Sequence, residues 1–315
     1  MTLLIGIDEA GYGPNFGPLC IGATAWHVEE RGAGGEERAI ELYDLLSGVI
    51  CRSPKKNRIA IADSKQLYKP GGGLRELERG VLAALASLGE TASDWRDLLD
   101  PPKLRWYGDF NCQLPIDADL EEIVSLAEQF RAACRTARVK LVDLRARLVF
   151  PKEFNDLTER YGTKGAALSH VSIELVRKIL ARNSRLATRN SITCDKHGGR
   201  NRYAALLQHH FPDHWIETIE ESRPVSRYRW GPPQSPTEIC FRTKGEAELP
   251  VALASMTAKY HRELAMRAFN AFWAAQIPGI KPTAGYPQDA RRFKAEIEAV
   301  QSKLGIADAI LWRNR

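Results

Sequence analysis

Four acidic residues follow short apolar runs, at points where glycine, proline or charged residues begin. They are Asp8 and Glu9 after residues 3–7, Asp195 after residues 191–194, and Glu246 after residues 237–242. Such runs are typical of buried strands, and ligands gather at strand ends in open α/β sheets. Hard cations such as Mg²⁺ prefer oxygen ligands and relieve the repulsion between clustered carboxylates. The four acids therefore predict a two-metal phosphodiester site, unless each acid is only a solvated turn residue.

Asp8 and Glu9 are neighbours, and adjacent residues of a strand point to opposite faces of the sheet. They converge on one site only if the chain turns at once, which Gly11 and Gly13 permit. A backbone without side chains can also approach a ribose 2′-hydroxyl closely. A dinucleotide fingerprint is only weakly indicated, because the next glycine, Gly17, comes one residue too late. No phosphate-binding P-loop motif occurs either.

Apolar runs and helical periodicity alternate along the chain and predict an α/β fold with helices on both faces of a sheet. Strands are predicted at residues 3–7, 18–26, 140–150, 191–194 and 237–242, and helices near 71–88, 120–136, 164–182, 203–211, 250–275 and 288–304. The first two strands are expected to pair antiparallel. Residues 29–42, rich in Glu, Arg and Gly, are interpreted as solvated surface.

One domain is expected to cover residues 1–315, with an insertion at about 90–136 and a helical C-terminal portion from about 250. The insertion is irregular over residues 90–118, where tryptophans and prolines break the periodicity. It either extends a substrate groove through Trp106 and Tyr107 or packs on the sheet.

Charge favours a polyanionic partner without proving one. Lysine and arginine exceed aspartate and glutamate by 45 − 39 = +6, and the sequence pI is about 9.0. Basic residues interleave with aromatic ones in two groups, a pattern that suits a nucleic-acid groove but also occurs on solvated faces. The groups are Arg223, Arg227, Arg229 and Arg242 around Tyr228 and Trp230, and Lys281, Arg291, Arg292 and Lys294 around Tyr286.

Six scattered cysteines form no C-x-x-C pair, and the apolar start lacks a basic leader. Reduced thiols, a cytoplasmic location and no zinc knuckle are therefore expected. No apolar stretch approaches the ~20 residues of a membrane span. A monomer without a nucleotide cofactor is the default expectation.

Residues 6–19 resemble the opening signature of the type 2 ribonucleases H, the ribonuclease HII/HIII family. Further matches follow in the order of that family: Asp63-Ser64-Lys65-Gln66-Leu67, Phe154-Asn155, Asp195, Lys244-Gly245-Glu246, Ala254-Ser255-Met256-Thr257-Ala258-Lys259 and Gly285-Tyr286-Pro287. The resemblance covers residues 3–90 and about 138–300. It implies a ribonuclease H-like fold, a mixed central sheet flanked by helices, and Mg²⁺- or Mn²⁺-dependent hydrolysis of the RNA strand of RNA–DNA hybrids.

The resemblance also implies roles for individual residues. The catalytic, metal-binding acids would be Asp8, Glu9, Asp195 and Glu246, and the substrate would be bound by Gly11, Tyr12, Gly13, Ser64, Lys65, Lys259 and Tyr286. The glycine-x-glycine loop would follow the ribose at the cut, and Tyr286 would contact the neighbouring sugar. Lys65 and Lys259 would lie near the phosphates, although Lys259 fits a helix surface equally well.

Three departures from the family pattern qualify these roles. Tyr12 stands where arginine is commonest, and losing a guanidinium removes a bidentate phosphate contact, so the hypothesis is a preference for RNA tracts over single ribonucleotides. Glu246 replaces the usual aspartate, and Glu248 is the alternative fourth acid. His197 is either a proton donor to the leaving group or a surface histidine.

Two other functions fit the same residues. One is a related nuclease that acts on another duplex, since fold does not determine substrate. The other is a nucleic-acid-binding protein with weak or no turnover. Intact Asp8, Glu9 and Asp195 favour the enzyme, whereas Tyr12 and Glu246 keep the binding protein open.

Overall fold

The computed structural model describes residues 1–29, 41–69 and 71–314. The strands are β1 Thr2–Ala10, β2 Leu19–Val28, β3 Ile50–Cys51, β4 Ile59–Ala60, β5 Val139–Val149, β6 Arg189–Asp195, β7 Glu217–Glu221, β8 Val225–Trp230 and β9 Thr237–Arg242. The helices are α1 Leu42–Leu45, α2 Ser64–Leu67, α3 Arg75–Leu88, α4 Trp95–Leu98, α5 Arg105–Gly108, α6 Leu120–Ala137, α7 Pro151–Tyr161, α8 Lys164–Asn183, α9 Ala204–His210, α10 Leu249–Gln276, α11 Pro287–Lys303 and α12 Asp308–Leu311. Most of the segment 29–42, interpreted above as solvated surface, lies outside the described residues.

Seven strands form one mixed sheet in the order β5-β2-β1-β6-β9-β8-β7. β1 pairs antiparallel with β2 and parallel with β6, and β6 pairs parallel with β9. The carboxyl ends of β1, β6 and β9 therefore lie side by side at one edge of the sheet. The predicted mixed α/β architecture and the antiparallel pairing of the first two strands are confirmed.

Helices cover both faces of the sheet, and strand alternation decides which side chains meet them. Leu3, Ile5 and Ile7 of β1 are buried in one cluster with α8 and α9. A second cluster contains buried residues of α3, α6 and α10. No helix in the part of the chain that the structure describes has the length and apolar content to cross a bilayer.

The long helix α10 approaches β1 and β2 closely because two strand residues are glycines. A Cβ atom on Gly6 would lie 2.1 Å from the carbonyl carbon of Pro250, and one on Gly22 would lie 2.0 Å from the carbonyl oxygen of Ala254. A side chain at either position would push the helix away from the sheet. The small residues thus bring α10 beside the end of β1, where the first two acids lie.

The insertion at residues 90–136 packs against the helices instead of opening a groove through its aromatic residues. Trp106 and Tyr107 are both only 3% exposed. The Trp106 ring meets Phe269 edge-on at a centroid distance of 5.8 Å, and the Tyr107 ring lies 5.4 Å from Phe150. The second half of the insertion is the regular helix α6, which begins at an Asp119 cap. The groove alternative is therefore wrong: Trp106 packs on α10 and Tyr107 on Phe150, and it is α6 that reaches the sheet, where Phe130 meets Trp26 edge-on at 6.0 Å.

Candidate active site

Asp8 and Asp195 lie next to each other because their strands run in parallel register. Ile7 of β1 pairs with Cys194 of β6, so the acids are the next residues on both strands. Ile7 and Cys194 are buried in the cluster on the α8 side, and strand alternation therefore puts both acids on the α10 side. The predicted convergence of these two carboxylates at one sheet edge is observed.

The surroundings of Asp8 favour its protonated form when no metal is bound. Burial raises the pKa of Asp8 to about 7, and the negative charge of Asp195 contributes to the rise. A hydrogen bond with Ser255 of α10 and the positive charge of Lys65 oppose it. The Asp8 Oδ1 atom also accepts a hydrogen bond of 2.8 Å from the Glu9 amide. Buried carboxylates with so little positive charge around them form a suitable environment for a cation.

Asp195 is held by the chain that leads into α10. Its Oδ1 atom accepts a hydrogen bond of 3.2 Å from the Gly245 amide. Burial raises the pKa of Asp195, while hydrogen bonds from the Gly245 and Lys196 amides lower it. The net shift is upward, as it is for Asp8.

The expected immediate turn after Glu9 is wrong. β1 stays paired with β2 through Ala10, with Glu9 opposite Ile21, because the strand continues until Gly11 breaks it at φ +84°. Strand alternation therefore directs Glu9 toward the α8 side of the sheet edge, opposite to Asp8. Its carboxylate still responds to the cluster: burial and the charges of Asp8 and Asp195 raise the pKa of Glu9 well above its usual value.

Glu246 and Glu248 differ in how their carboxylates are used. Both Glu248 oxygens have partners, at 2.8 Å from the Thr193 hydroxyl and 2.9 Å from Nη1 of Arg242. Glu246 lies in the short turn before α10, and its negative charge contributes to raising the pKa of Lys65. The geometry therefore favours Glu246 as the fourth acid.

The positive charge of Lys65 acts on this group of acids: it lowers the pKa of Asp8, Glu9 and Asp195. Burial lowers the pKa of Lys65, but the charges of Asp63, Asp8, Glu246 and Asp195 raise it above its usual value. Its position is set by Asp63, which caps α2 by accepting a hydrogen bond of 3.0 Å from the Lys65 amide. Lys65 is exposed, so its ammonium group remains accessible to an anionic substrate.

The other two polar residues assigned to the substrate are engaged within the protein. Ser64 is buried, and its hydroxyl lies 3.1 Å from that of Ser255, which itself bonds Asp8. Lys259 forms an ion pair of 2.6 Å with Glu263 and lies over the ring of Tyr68. Ser64 thus fastens α2 to α10, and Lys259, whose side chain is only 18% exposed, is not a simple helix-surface residue.

Two buried arginines hold the glycine loop, the segment Gly11-Tyr12-Gly13 and the residues just after it. The sequence did not predict this role for either arginine. Arg313, near the C-terminus, donates from Nη2 to the carbonyl oxygens of Gly11, at 2.7 Å, and Pro14. Arg262 of α10 donates to the carbonyl oxygens of Phe16 and Ala284 at 3.3 and 2.9 Å. Both guanidinium groups are 2% exposed or less. No local sequence signal predicts Arg313, because it reaches the loop from about 300 residues away.

Tyr12 occupies a pocket lined by glycines beside α8. A Cβ atom on Gly198 would lie 2.8 Å from the Tyr12 hydroxyl, and one on Gly165 would lie 3.3 Å from it. The ammonium group of Lys164 lies 4.7 Å from the centre of the ring. Tyr12, which stands where the family pattern has arginine, therefore packs against neighbouring residues of the protein.

Tyr286 lies next to the glycine loop and faces solvent. Its side chain is 52% exposed, and its ring is 3.8 Å from where a Cβ on Gly13 would be. The Asn15 amide donates a hydrogen bond of 2.7 Å to the carbonyl oxygen of Gly285, which ties the two segments together. An exposed ring beside a bare backbone is suited to contact a sugar.

Both interpretations of His197 are wrong. The residue is 2% exposed, and its Nδ1 atom lies 3.1 Å from the hydroxyl of Ser169. Burial lowers the pKa of His197 to about 3, with a smaller contribution from Arg200. The ring is therefore neutral near pH 7, and it is neither on the surface nor a proton donor there. The ring is enclosed by Ser169 of α8 and by the rings of Tyr203 and Phe241, contacts that the local sequence does not reveal.

The first basic and aromatic group does not form a stacking surface. Tyr228 and Trp230 are buried by the alternation of β8, which leaves Arg227 and Arg229 on the other side. Both arginines pair with Glu238, at 3.5 and 3.3 Å. In the second group, Arg292 pairs with Asp289 and Glu296, and Lys294 pairs with Asp308, whereas Lys281 and Arg291 are exposed.

The carboxylates fit hard divalent cations by their chemistry, since Asp and Glu oxygens are the ligands that Mg²⁺ and Mn²⁺ take. Within residues 1–29, 41–69 and 71–314, one set of three His, Cys, Asp or Glu ligand atoms lies within 4.8 Å of one another, and it is formed by His170, His209 and His210. At least one pair among the ligand oxygens of Asp8, Glu9 and Asp195 is therefore more than 4.8 Å apart.

Comparisons with known proteins point to one group of solved structures. Ribonuclease HII from Archaeoglobus fulgidus, in its complex with PCNA, is 16% identical at a TM-score of 0.42, with 99% of this chain and 94% of that chain covered. Ribonuclease H2 from Pyrococcus horikoshii OT3 is 19% identical at a TM-score of 0.45, with 98% and 92% covered. Bst-RNase HIII in complex with Mn²⁺ is 14% identical at a TM-score of 0.41, with 99% and 66% covered. No family model matches the chain, and no curated protein matches it. The similar solved structures are ribonucleases of the family whose motifs the sequence resembles.

Proposed function

We propose that this protein is a metal-dependent endonuclease that hydrolyses the RNA strand of RNA–DNA hybrids. The observation that supports the proposal is the parallel register of β1 and β6, which brings Asp8 and Asp195 together on one face of the sheet edge. Lys65, the glycine loop and the exposed Tyr286 belong to segments that match the family motifs in order. A duplex that contains ribose is the substrate best suited to this combination.

Each residue has a distinct task in this proposal. Asp8, Glu9, Asp195 and Glu246 would hold two Mg²⁺ or Mn²⁺ ions, which when bound supply a hydroxide nucleophile and neutralise the phosphate charge. Lys65 stays protonated and attracts the scissile phosphate, because the acids around it raise its pKa. Gly11 and Gly13 let the backbone approach the 2′-hydroxyl. The Tyr286 ring positions the adjoining sugar.

The decisive experiment is cleavage of a labelled RNA–DNA hybrid with Mg²⁺ or Mn²⁺ by the protein and its Asp8→Asn variant. The matched control is Asp156→Asn, an exposed aspartate of α7 paired with Lys152. The wild type and the control should cut the RNA strand at equal rates only when metal is present. Asp8→Asn should be slower by about 10³-fold, as expected for several kcal/mol of lost charge stabilisation.

The other candidate functions give different results in the same assay. No cleavage by any of the proteins, together with hybrid binding that weakens as salt rises, would identify a binding protein without turnover. Metal-dependent cleavage of a different duplex in a substrate panel would identify a related nuclease. Equal cleavage by wild type and Asp8→Asn would overturn the assignment of the site.

A further inference from the structure

Three histidines from two helices meet in a place that the proposed nuclease site does not use. His170 lies on α8, and His209 and His210 end α9. One ring nitrogen of each histidine lies within 4.8 Å of the other two, and Nδ1 of His170 is 3.1 Å from Nε2 of His210. We call His170, His209 and His210 the histidine cluster.

The distances within the histidine cluster are those of ligands that can share one ion. Two nitrogens bound to one tetrahedral ion at ~2.0–2.1 Å are separated by about 3.3 Å. The observed 3.1 Å between His170 and His210 is close to that separation, although a direct hydrogen bond gives the same distance. His209 is exposed, so its side chain has room to move closer to the other two.

The His170 ring is also in the right chemical state and orientation. Burial, the neighbouring histidines and the positive charges of Arg200 and Arg160 hold His170 neutral, and neutral imidazole is the form that binds metals. Tyr161 stacks on His170 with a centroid distance of 3.8 Å and an interplanar angle of 5°, which fixes the plane of the ring. Glu174 provides negative charge near His210, opposed by Arg177.

We propose that the histidine cluster binds a divalent transition-metal ion of the kind that prefers nitrogen ligands, such as Zn²⁺ or Ni²⁺, and thereby clamps α9 to α8. Imidazole ligands select these ions over Mg²⁺, which prefers oxygen. Three protein ligands leave one coordination position for water. The site differs in metal and in location from the carboxylate site, and it does not depend on the proposed nuclease activity.

The test is a calorimetric titration of the tag-free, metal-free full-length protein with ZnCl₂ in excess MgCl₂, which occupies oxygen sites. The variants are His209→Ala, which removes an exposed ligand, and His170→Ala, which removes the half-buried one. The control is His214→Ala, an exposed histidine just beyond α9 and outside the cluster. Wild type and control should bind one Zn²⁺ equally, and both cluster variants should bind it at least ~100-fold more weakly.

A thermal-shift measurement separates a lost ligand from a damaged fold. Zn²⁺ should raise the melting temperature of wild type and His214→Ala, and it should leave that of His209→Ala unchanged. Without Zn²⁺, His209→Ala should melt like wild type because the residue is exposed. Equal zinc affinity in wild type and His209→Ala, or no zinc binding by wild type at 100 µM, a concentration about a hundred times a micromolar dissociation constant, would overturn the proposal. Neither result would affect the hybrid-cleavage assay.

Discussion

The part of the chain that the structure describes contains two clusters of potential metal ligands, and their protonation responds to burial in opposite ways. In the carboxylate cluster, formed by Asp8, Glu9, Asp195 and Glu246, burial raises the pKa of Asp8 to about 7. In the histidine cluster, burial lowers the pKa of His170 to about 4. Both shifts have one physical cause, since burial penalises the charged form of each group. A metal ion must therefore displace a proton from Asp8 below pH 7, whereas His170 is already deprotonated above pH 4.

The two clusters also differ in what places their ligands. Parallel strand pairing sets Asp8 beside Asp195, and the adjoining glycine loop is held by Arg313 from the far end of the chain. The histidine cluster depends on how α8 packs against α9 and on Tyr161 of α7, which stacks on His170. We propose chemistry for the first cluster and clamping for the second, in keeping with this difference.

The largest expected effect tests whether catalysis belongs to the carboxylate cluster alone. Glu246→Gln should lower hybrid cleavage about 100-fold or more, because it removes a metal-binding charge. Glu248→Gln is the matched control, since Glu248 is already paired with Arg242 and Thr193, and its rate should fall less than tenfold. His209→Ala should cleave within about twofold of wild type. A larger loss in Glu248→Gln than in Glu246→Gln would reverse the assignment of the fourth acid.

The acid positions were predictable because each belongs to a local pattern. Residues 3–7 and 191–194 are apolar runs short enough to be strands, and parallel strands align their carboxyl ends. The strand 237–242 and the helices near 164–182 and 250–275 agree with the structure to within about two residues. Residues 225–230 alternate as well, and that pattern is the local signal for the burial of Tyr228 and Trp230. β1 continues past its apolar run to Ala10, so the end of the run gives the wrong strand end and the wrong place for Glu9.

Other features depend on contacts between distant parts of the chain and leave no local signal. His170 and the pair His209-His210 are separated by about 40 residues and meet only because α8 and α9 pack together. Arg313 and Gly11 are about 300 residues apart. His197 reads as a loop residue, yet its ring is buried against Ser169. Sequence periodicity predicts which face of a helix or strand is buried. It does not predict which other part of the chain packs against that face.

The long-range support of the carboxylate cluster is tested by Arg313→Ala, with Arg160→Ala on α7 as control. Loss of Arg313 leaves the carbonyl oxygens of Gly11 and Pro14 without their donor, which should cost about 2 kcal/mol of unfolding free energy. The loosened loop should raise KM for the hybrid about tenfold and change kcat less. Denaturant unfolding and steady-state kinetics measure both. An unchanged KM in a destabilised variant would limit Arg313 to a structural role.

A smaller effect on specificity is expected from Tyr12→Arg. Arginine offers a bidentate phosphate contact that tyrosine lacks, so this variant should gain about tenfold in cleavage at a single ribonucleotide relative to a run of four. The comparison uses two DNA duplexes that differ only in the number of ribonucleotides. Tyr12→Phe, which keeps the ring beside Gly165 and Gly198, should leave the ratio unchanged. An unchanged cleavage ratio in Tyr12→Arg would show that residue 12 does not determine the choice between the two duplexes.

The smallest expected effect concerns how the stability of the metal-free protein changes with pH. It tests whether protonation of Asp8 and of His170 affects stability in opposite directions. Asp8 binds its proton more tightly in the folded state, so its contribution to stability is present near pH 4 and is lost as pH rises toward 7. His170 binds a proton less tightly when folded, so its penalty appears as pH falls from 6.5 toward 4. Between pH 5 and 7, Asp8→Asn should therefore flatten the fall in melting temperature by about 2–4 °C. His170→Gln should instead remove part of the fall in melting temperature that occurs as pH drops from 6.5 toward 4. If both variants shift the pH profile in the same direction, the two clusters do not respond to protons in opposite ways, and their metal preferences have another cause.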